Sequence, residues 1–332
     1  MAKGNLKKLY QANKTYLADE MDIIKMIDEY LVNHSLKRMA NKSTLFHPSR
    51  ISKGIECERY WYFMFTNEVL DIDDMFKREA FTARTLKIME IGTGIHWAFH
   101  HIFYEMGILE GVWKCCYCDQ KFWATSPTQC PECLRTVNWD HLIFKEVPFE
   151  SQFIAGHADG ILNLHKVNIP ARFFLELKSI KNILEKSASK HVYGFESLEQ
   201  PLEEHDLQLQ LYMDEWQQKV KDSQFEEKLI PFADEGHLRV PNNAPDIIGA
   251  REIGKLDKGL IMYVGKNTGE LKVFATKLNQ LKIKFLKESM AKIFEAVAAE
   301  DLAAMSALCY TQDCQKNCRF GDKCSQKGMC DV

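Results

Sequence analysis

The chain has 332 residues, 46% of them hydrophobic and 27% charged, with a formal net charge of −3. That length and composition are those of a globular chain able to bury a large core in one domain with insertions or in two, and they exclude a fibrous or wholly disordered one. The near-neutral charge gives no overall basic signature for nucleic acid but leaves room for a local basic groove. No run of eighteen apolar residues is present, and Met1-Ala-Lys-Gly-Asn-Leu-Lys-Lys lacks the apolar segment of a secretory signal, so no membrane partner and a reducing cytoplasm, a host cell's if the source is viral, are expected. In that compartment eleven cysteines read as metal ligands before disulfides.

From Leu6 to Met39 apolar residues recur at helical spacing through Tyr10, Leu17, Met21, Ile24, Ile27, Tyr30 and Leu31, which predicts an N-terminal helical extension over 1–48. Residues 41–49 break the pattern and supply cap residues for a helix over Arg50–Phe65, which carries Cys57 among aromatics. A further helix is predicted from Glu90 to Gly107, opened by Gly92-Thr-Gly94, with Ile95, Phe99, Ile102 and Phe103 on its apolar stripe. His96 and His100 lie one turn apart on it, near enough to reach one cation.

Next come two C-x2-C pairs eleven residues apart, Cys115 with Cys118 and Cys130 with Cys133, and Cys116 is spare. Each pair turns two sulfurs toward one point, the pattern of a structural Zn²⁺ ribbon, expected as an insertion over 111–140. Four protein ligands leave no open position, so this zinc would stabilise and not catalyse. Trp113, Phe122 and Trp123, with Lys114, Lys121 and Arg135, are expected either to stack bases and contact phosphates or to cover the small ribbon.

Gly156-His-Ala-Asp159-Gly160 and Phe173-Phe-Leu-Glu176-Leu-Lys178, separated by the turn-rich Asn163–Pro170, predict an antiparallel strand pair. Alternation puts Glu176 and Lys178 on one face and Leu175 and Leu177 on the other, with Asp159 on the neighbouring strand facing the same space. Two carboxylates and a lysine are costly to bury together, and a hard divalent cation is a natural partner; an ordinary solvated ion pair is the plainer alternative. Lys181, Lys186 and Lys190 follow on a loop or short helix over the cleft. His205, Gln208 and Tyr212 share a face of the next helix, Ile230–Lys258 reads as an irregular excursion, and Gly259–Gly265 with Glu270–Thr276 forms a second hairpin that extends the sheet. A long helix from Lys277 to about Ala304 has Leu278, Leu281, Phe285, Ile293 and Val297 inward. Five cysteines, Cys309, Cys314, Cys318, Cys324 and Cys330, crowd the end and argue for a thiolate-bound metal.

The arrangement Asp159, turn, Glu176-x-Lys178 resembles the PD-(D/E)xK nuclease superfamily. With His96 on a glycine-led helix before it, Gln208-x3-Tyr212 after it, Cys57 upstream and a cysteine tail, it is similar to the RecB-like iron–sulfur branch, which includes CRISPR-associated RecB-like exonucleases, the AddB subunit and replication helicase–nucleases. No helicase P-loop is present, so the resemblance is to a stand-alone nuclease. It implies an α/β (α+β), restriction-endonuclease-like core over 49–332, with a mixed central sheet flanked by helices and an iron–sulfur-clasped tail over 305–332. It implies Mg²⁺- or Mn²⁺-dependent hydrolysis of DNA, as an exonuclease on single strands or ends, with recombination or replication proteins as partners. His96, Asp159, Glu176 and the Leu177 carbonyl would hold the cation, Lys178 would orient water, and Gln208 and Tyr212 would order the lysine or contact substrate. Cys57, Cys314, Cys318 and Cys324 would hold a [4Fe–4S] cluster, although Cys318, Cys324 and Cys330 also fit the frame, and four thiolates alone do not separate iron–sulfur from zinc. Two other readings are a non-catalytic DNA-binding or assembly subunit on the same fold and a zinc-ribbon DNA-binding regulator.

Overall fold

The structure is a computed structural model that describes residues 23–33, 45–51, 58–66, 82–151, 153–180, 194–229 and 245–305, with the side chains of 50–51, 223–229 and 247 excepted. Cys57, the five tail cysteines and the lysines of the 181–193 segment lie outside those residues. The chain divides into two compact units, Met1–Ser43 with Leu70–Gly94, and Thr44–Val69 with Ile95–Val332. Of the expected 1–48 extension, residues 44–48 belong to the second unit, and the first contains 1–43 together with 70–94. Its described residues are a helix, α1, over 23–33, and the start of a second, with an ion pair of 2.6 Å between Lys87 Nζ and Asp28 Oδ1.

The second unit is α+β, a mixed central sheet flanked by helices. Its helices are α2 (Pro48–Ile51), α3 (Glu58–Phe65), the end of α4 (Ala83–Glu105), α5 (Glu203–Leu229), α6 (Pro245–Ile253) and α7 (Gln280–Ala298). Seven strands form the main sheet: β1 (Leu109–Cys115), β2 (Lys121–Thr125), β3 (Leu142–Lys145), β6 (Gly160–Asn163), β7 (Arg172–Ile180), β8 (Lys258–Gly265) and β9 (Leu271–Lys277). They run β2-β1-β6-β7-β8-β9, with β3 also on β1, and only β7 and β8 are parallel. The second expected hairpin, β8–β9, extends the sheet as anticipated, and the first is present as β6–β7 but shifted: Gly160–Asn163 faces β7, and Asp159, expected on that strand, precedes it. Two short strands, β4 (Val147–Glu150) and β5 (Ala155–Ala158), form a separate antiparallel pair.

The pairing of β1 explains this split. Val112 pairs with Trp123 of β2 and with Lys145 of β3, while Glu110 pairs with Thr125 of β2 and with Ile161 of β6. A strand has two edges, so β3 and β6 share the edge opposite β2, one after the other. Between them the chain leaves the main sheet at Glu146, makes the β4–β5 hairpin, and returns at Asp159. Each of those residues is the single link between a strand of one sheet and a strand of the other. Gly160, at the return, has φ +148°, and a methyl group there would lie 3.2 Å from both Leu109 and Phe144, so a side chain is opposed by backbone and by space.

Alternation along β7 works as predicted. Phe174 enters one core layer with Tyr212, Met213 and Trp216 of α5, and Leu175 and Leu177 enter the other with Phe99 and Phe103 of α4. Four expectations need correction. Gly92-Thr-Gly94 does not open α4, which starts at Ala83 and runs through both glycines. Two glycines cost a helix interior about 2 kcal/mol together, which a helix of this length offsets through its other residues. The 230–258 excursion contains α6, whose Pro245 and Asp246 act as start signals and not as breakers. Gly249 of α6 lies against the Trp123 ring, which a methyl group there would overlap. On α7 the buried positions are Ile283, Leu286, Met290, Ile293 and Ala296, and Leu281 and Phe285 are 63% and 61% exposed. The helix is rotated from the expected face and ends at Ala298, not near Ala304.

The cysteine segment is not a free-standing lobe. Its strand β1 pairs directly with β6, and Trp113, Cys115, Phe122 and Cys130 belong to the same core layer as Leu162, Leu175 and Leu177. Trp113, Phe122 and Trp123 are buried, so they cannot stack bases: Trp113 and Phe122 pack in the layer that holds Cys115 and Cys130, and Trp123 lies in the other layer, against Trp216 of α5 and Gly249 of α6. Among the described residues no helix is long and apolar enough to cross a membrane.

Candidate metal centre and its surroundings

Two clusters of metal-ligating side chains occur among the described residues: Cys115, Cys118, Cys130 and Cys133, and His96, Glu146 and Asp159. In each, the ligand atoms all lie within 4.8 Å of one another.

The cysteine tetrad is built by two matching turns. Cys115 Sγ lies 3.9 Å from Cys133 Sγ, and Cys118 Sγ lies 3.7 Å from Cys130 Sγ. After each pair the chain turns through a left-handed residue, Asp119 at φ 65° and Leu134 at φ 58°, with backbone bonds from Asp119 N to Cys115 O and from Leu134 N to Cys130 O. Tyr117 N–H also points at Cys115 Sγ, 3.4 Å away. Burial opposes the Cys115 thiolate, yet the N–H groups of Tyr117 and Cys118 draw its pKa down to about 7. The spare Cys116 is exposed.

The acidic pocket draws its parts from α4, the two crossing points, β7 and α5. Where β7 continues past the end of β6, the N–H of Leu177 donates to Asp159 Oδ2 at 2.6 Å. The Asp159 side chain thus replaces a strand partner. Its other oxygen lies 3.3 Å from His96 Nδ1. Burial works against the Asp159 carboxylate, but His96, Lys178 and the Leu177 N–H together hold it below the usual carboxylate range. Burial also lowers His96, and the hydrogen bond and charge of Asp159 more than restore it, so its pKa is raised.

Glu176 is 1% exposed, with one oxygen on the Lys178 ammonium and the other, Oε2, buried without a partner. Complete burial raises the Glu176 pKa, against the pull of Lys178. Burial lowers Lys178, and the charges of Glu176 and Asp159 overcome it and raise it. These two tendencies compete, since Lys178 is favoured as a cation only while Glu176 is ionised. The fully buried carboxylate with an empty oxygen is the less satisfied member, and its raised pKa is the firmer direction.

Gln208 and Tyr212 are buried and do not face solvent. Gln208 Oε1 accepts from Lys178 Nζ at 3.1 Å, and its Nε2 donates to the Tyr212 hydroxyl at 3.3 Å. Tyr212 stacks on Phe149 with ring centroids 5.2 Å apart, and burial raises its pKa so that it stays a phenol. Gly156 makes room for it: a methyl group there would sit 3.1 Å from the Tyr212 oxygen. His205, on the same helix, turns instead to the Tyr263 hydroxyl at 2.9 Å. His100 packs on Phe144, its Nε2 has no partner, and burial lowers its pKa, so it stays neutral.

The six expected site residues therefore form two contact groups, His96 with Asp159 and Glu176 with Lys178, Gln208 and Tyr212, and the Leu177 N–H on Asp159 Oδ2 sets the two side by side. Glu176 stands outside the compact triad, where Glu146 takes the third place. No motif contains Glu146. Its signal lay in the unrecognised β4–β5 register. Burial and the neighbouring Asp159 charge raise its pKa to about 7.

No family model matches the chain. No curated protein matches it either. Among solved structures, one described as "Crystal structure of SSO0001" aligns over 89% of this chain and 95% of that one at 12% identity, with a TM-score of 0.35. A likeness of that size carries no argument about fold or activity.

Proposed function

We propose that the protein is a divalent-cation-dependent DNA phosphodiesterase of the PD-(D/E)xK type, acting as an exonuclease on single strands or ends in recombination, repair or replication. One observation carries the reading: Asp159, Glu176, Lys178 and His96 converge on one buried cluster in which Glu176 Oε2 has no partner among the described residues. Buried polar atoms are almost always satisfied, so an orphaned carboxylate oxygen beside a second carboxylate fits a site that receives a cation. Carboxylate and carbonyl donors suit Mg²⁺ or Mn²⁺, and they outnumber the one imidazole here. His96, Asp159, Glu176 and the Leu177 carbonyl would hold it. A bound cation supplies polarisation of a phosphoryl oxygen and acidification of a bound water. Lys178 is fixed by Glu176 and Gln208 and offers a cationic donor for the attacking water or for developing phosphate charge. Gln208 positions that ammonium, and Tyr212 positions Gln208.

The tetrad would hold a structural Zn²⁺, since four thiolates close a tetrahedral shell and leave no open position. The [4Fe–4S] cluster expected on Cys57, Cys314, Cys318 and Cys324 belongs to the same proposal and draws on sequence order. It draws further support from packing next to those residues: Phe65 of α3 stacks on Phe294 of α7 at 5.0 Å, Lys292 pairs with Glu58 at 2.7 Å, and Arg59 reaches the Met305 carbonyl at 3.5 Å. The chain just after Cys57 thus touches the chain just before the tail.

The test is an assay with Mg²⁺ or Mn²⁺ on end-labelled single-stranded DNA and on covalently closed circles, using protein purified without oxygen and assayed for iron and zinc. Stepwise loss of the linear substrate, sparing of closed circles and loss of activity in Glu176→Ala are expected. DNA binding without cleavage would instead favour a non-catalytic subunit.

A further inference from the structure

We propose that Glu146 is a protein ligand of the pocket's divalent cation, so that His96, Glu146 and Asp159 hold the ion together. The proposal rests on the reading of this pocket as a cation site and adds a residue that no part of the sequence pattern contains. Two independent observations carry it.

The first is the triad itself, one imidazole nitrogen and two carboxylate oxygens mutually within 4.8 Å. The second is strand register. In the β4–β5 pair, Val147 faces Ala158, Pro148 faces His157, Phe149 faces Gly156 and Glu150 faces Ala155. Each pair of numbers sums to the same value, and one step further along that register brings Glu146 opposite Asp159. Two like charges directly across a ladder repel. Here the ladder ends at that step, and both carboxylates leave it at the same place, where the chain passes between the two sheets.

Asp159 divides its oxygens between the Leu177 N–H and His96, and among the described residues neither it nor Glu146 forms an ion pair with a lysine or arginine. Among the described residues Glu146 forms no ion pair with Lys178, whose ammonium is taken by Glu176 and Gln208. Among the described residues Glu146 and Asp159 thus face each other with only the charges of His96 and Lys178 nearby to offset their repulsion. An oxygen-preferring divalent ion relieves that repulsion and takes the imidazole as its nitrogen donor. Glu176, fully buried beside them with one oxygen orphaned, completes a surround with more carboxylate than the lysine alone can balance.

The test measures Mn²⁺ binding to the full-length protein by the EPR signal of free Mn²⁺, comparing wild type with Glu146→Gln and with Glu150→Gln, an exposed glutamate on the same hairpin. Glu146→Gln is expected to weaken Mn²⁺ binding about tenfold or more, beyond the loss given by a supporting residue. It is also expected to leave the metal-free protein no less stable, because one of two facing charges is gone. Glu150→Gln should bind as wild type. Wild-type affinity in a folded Glu146→Gln overturns the proposal. Should that variant fail to fold, anomalous scattering from Mn²⁺ soaked into wild-type crystals decides: a peak within coordination distance of the Glu146 carboxylate supports the proposal, and a peak that leaves Glu146 outside the shell overturns it. The two readings fail separately. Wild-type protein that degrades DNA while Glu146→Gln binds Mn²⁺ normally removes only the Glu146 assignment, and Mn²⁺ bound through Glu146 with no degradation removes only the nuclease.

Discussion

The cysteine tetrad and the acidic pocket are both gathered from side chains that suit metals, but they are assembled by opposite means. The tetrad's ligands come from nineteen consecutive residues, Cys115 to Cys133, and two matching turns are enough to form it. Its sulfurs meet only one another and backbone N–H groups. The pocket collects His96 from a helix, Glu146 and Asp159 from the two points where the chain changes sheet, and Glu176 and Lys178 from a central strand. Among the described residues it also holds three carboxylates, Glu146, Asp159 and Glu176, beside one lysine and one histidine, with Glu176 Oε2 left without a partner. A closed and locally built site lends stability; an open one built at long range has charge to offer a ligand. Perturbing each should therefore fail in a different currency, stability for the tetrad and binding or turnover for the pocket.

The largest expected effect is on the tetrad. Cys130→Ser should lower zinc content by one equivalent and cost about 3 kcal/mol or more, because the binding energy of a structural metal is folding energy and Cys130 lies in the shared core. Thermal unfolding with metal analysis checks it. An unchanged melting temperature would erase the distinction between the two regions.

The pocket should instead respond to protons and cations. Glu146 and Glu176 have folded pKa values raised above their unfolded ones, Glu146 to about 7, so without metal they favour the folded state more as pH falls. His96 is also raised and adds stability below its ordinary pKa that is lost as pH rises through its folded value. All three shifts have one sign. The metal-free protein should gain roughly 2 kcal/mol between pH 8 and pH 5, before Asp159 protonates. Mg²⁺ or Mn²⁺ should raise the melting temperature at pH 8 and have little effect at pH 5. A melting temperature that falls steadily from pH 8 to 5 would contradict the arrangement of the carboxylates.

Gly156→Ala should cost about 1–3 kcal/mol and reduce activity, since its methyl group meets the Tyr212 oxygen and Pro48 and the displacement passes through Gln208 to Lys178. Urea denaturation and the same cleavage assay measure both. The smallest effect is expected at Leu134, exposed and left-handed at φ 58° in the second cysteine turn. Leu134→Gly should stabilise the protein by about 1 kcal/mol with zinc content unchanged, because glycine takes that conformation without the Cβ clash.

How far the sequence revealed each region follows from the same contrast. Cysteine spacing placed the tetrad because its geometry is local. Alternation placed Glu176, Lys178, Leu175 and Leu177 on their faces, and helical spacing placed Gln208 and Tyr212 together. Glu146 was invisible because its role depends on a short hairpin, β4–β5, between two sheets, and four-residue strands that include Pro148 and Gly156 carry little strand signal. Spacing leaves two roles open for the ribbon aromatics because it says nothing about which strands β1 joins; its pairing with β2, β3 and β6 puts Trp113 and Phe122 in one core layer and Trp123 in the other. On α7 apolar residues occupy more than one face, and packing against α3 and α5 buries the stripe through Ile283, Leu286, Met290 and Ile293, so hydrophobicity alone does not exclude Leu281 and Phe285 from it.

The claim that the pocket is a cation-dependent phosphodiesterase centre is tested most directly by DNA degradation with purified wild type and Asp159→Asn, each with Mn²⁺ and with EDTA. Degradation by wild type only when Mn²⁺ is present, with a loss of at least about 100-fold in a folded Asp159→Asn, is the predicted result. Equal degradation by both proteins, or none by wild type at any Mn²⁺ concentration, would contradict it.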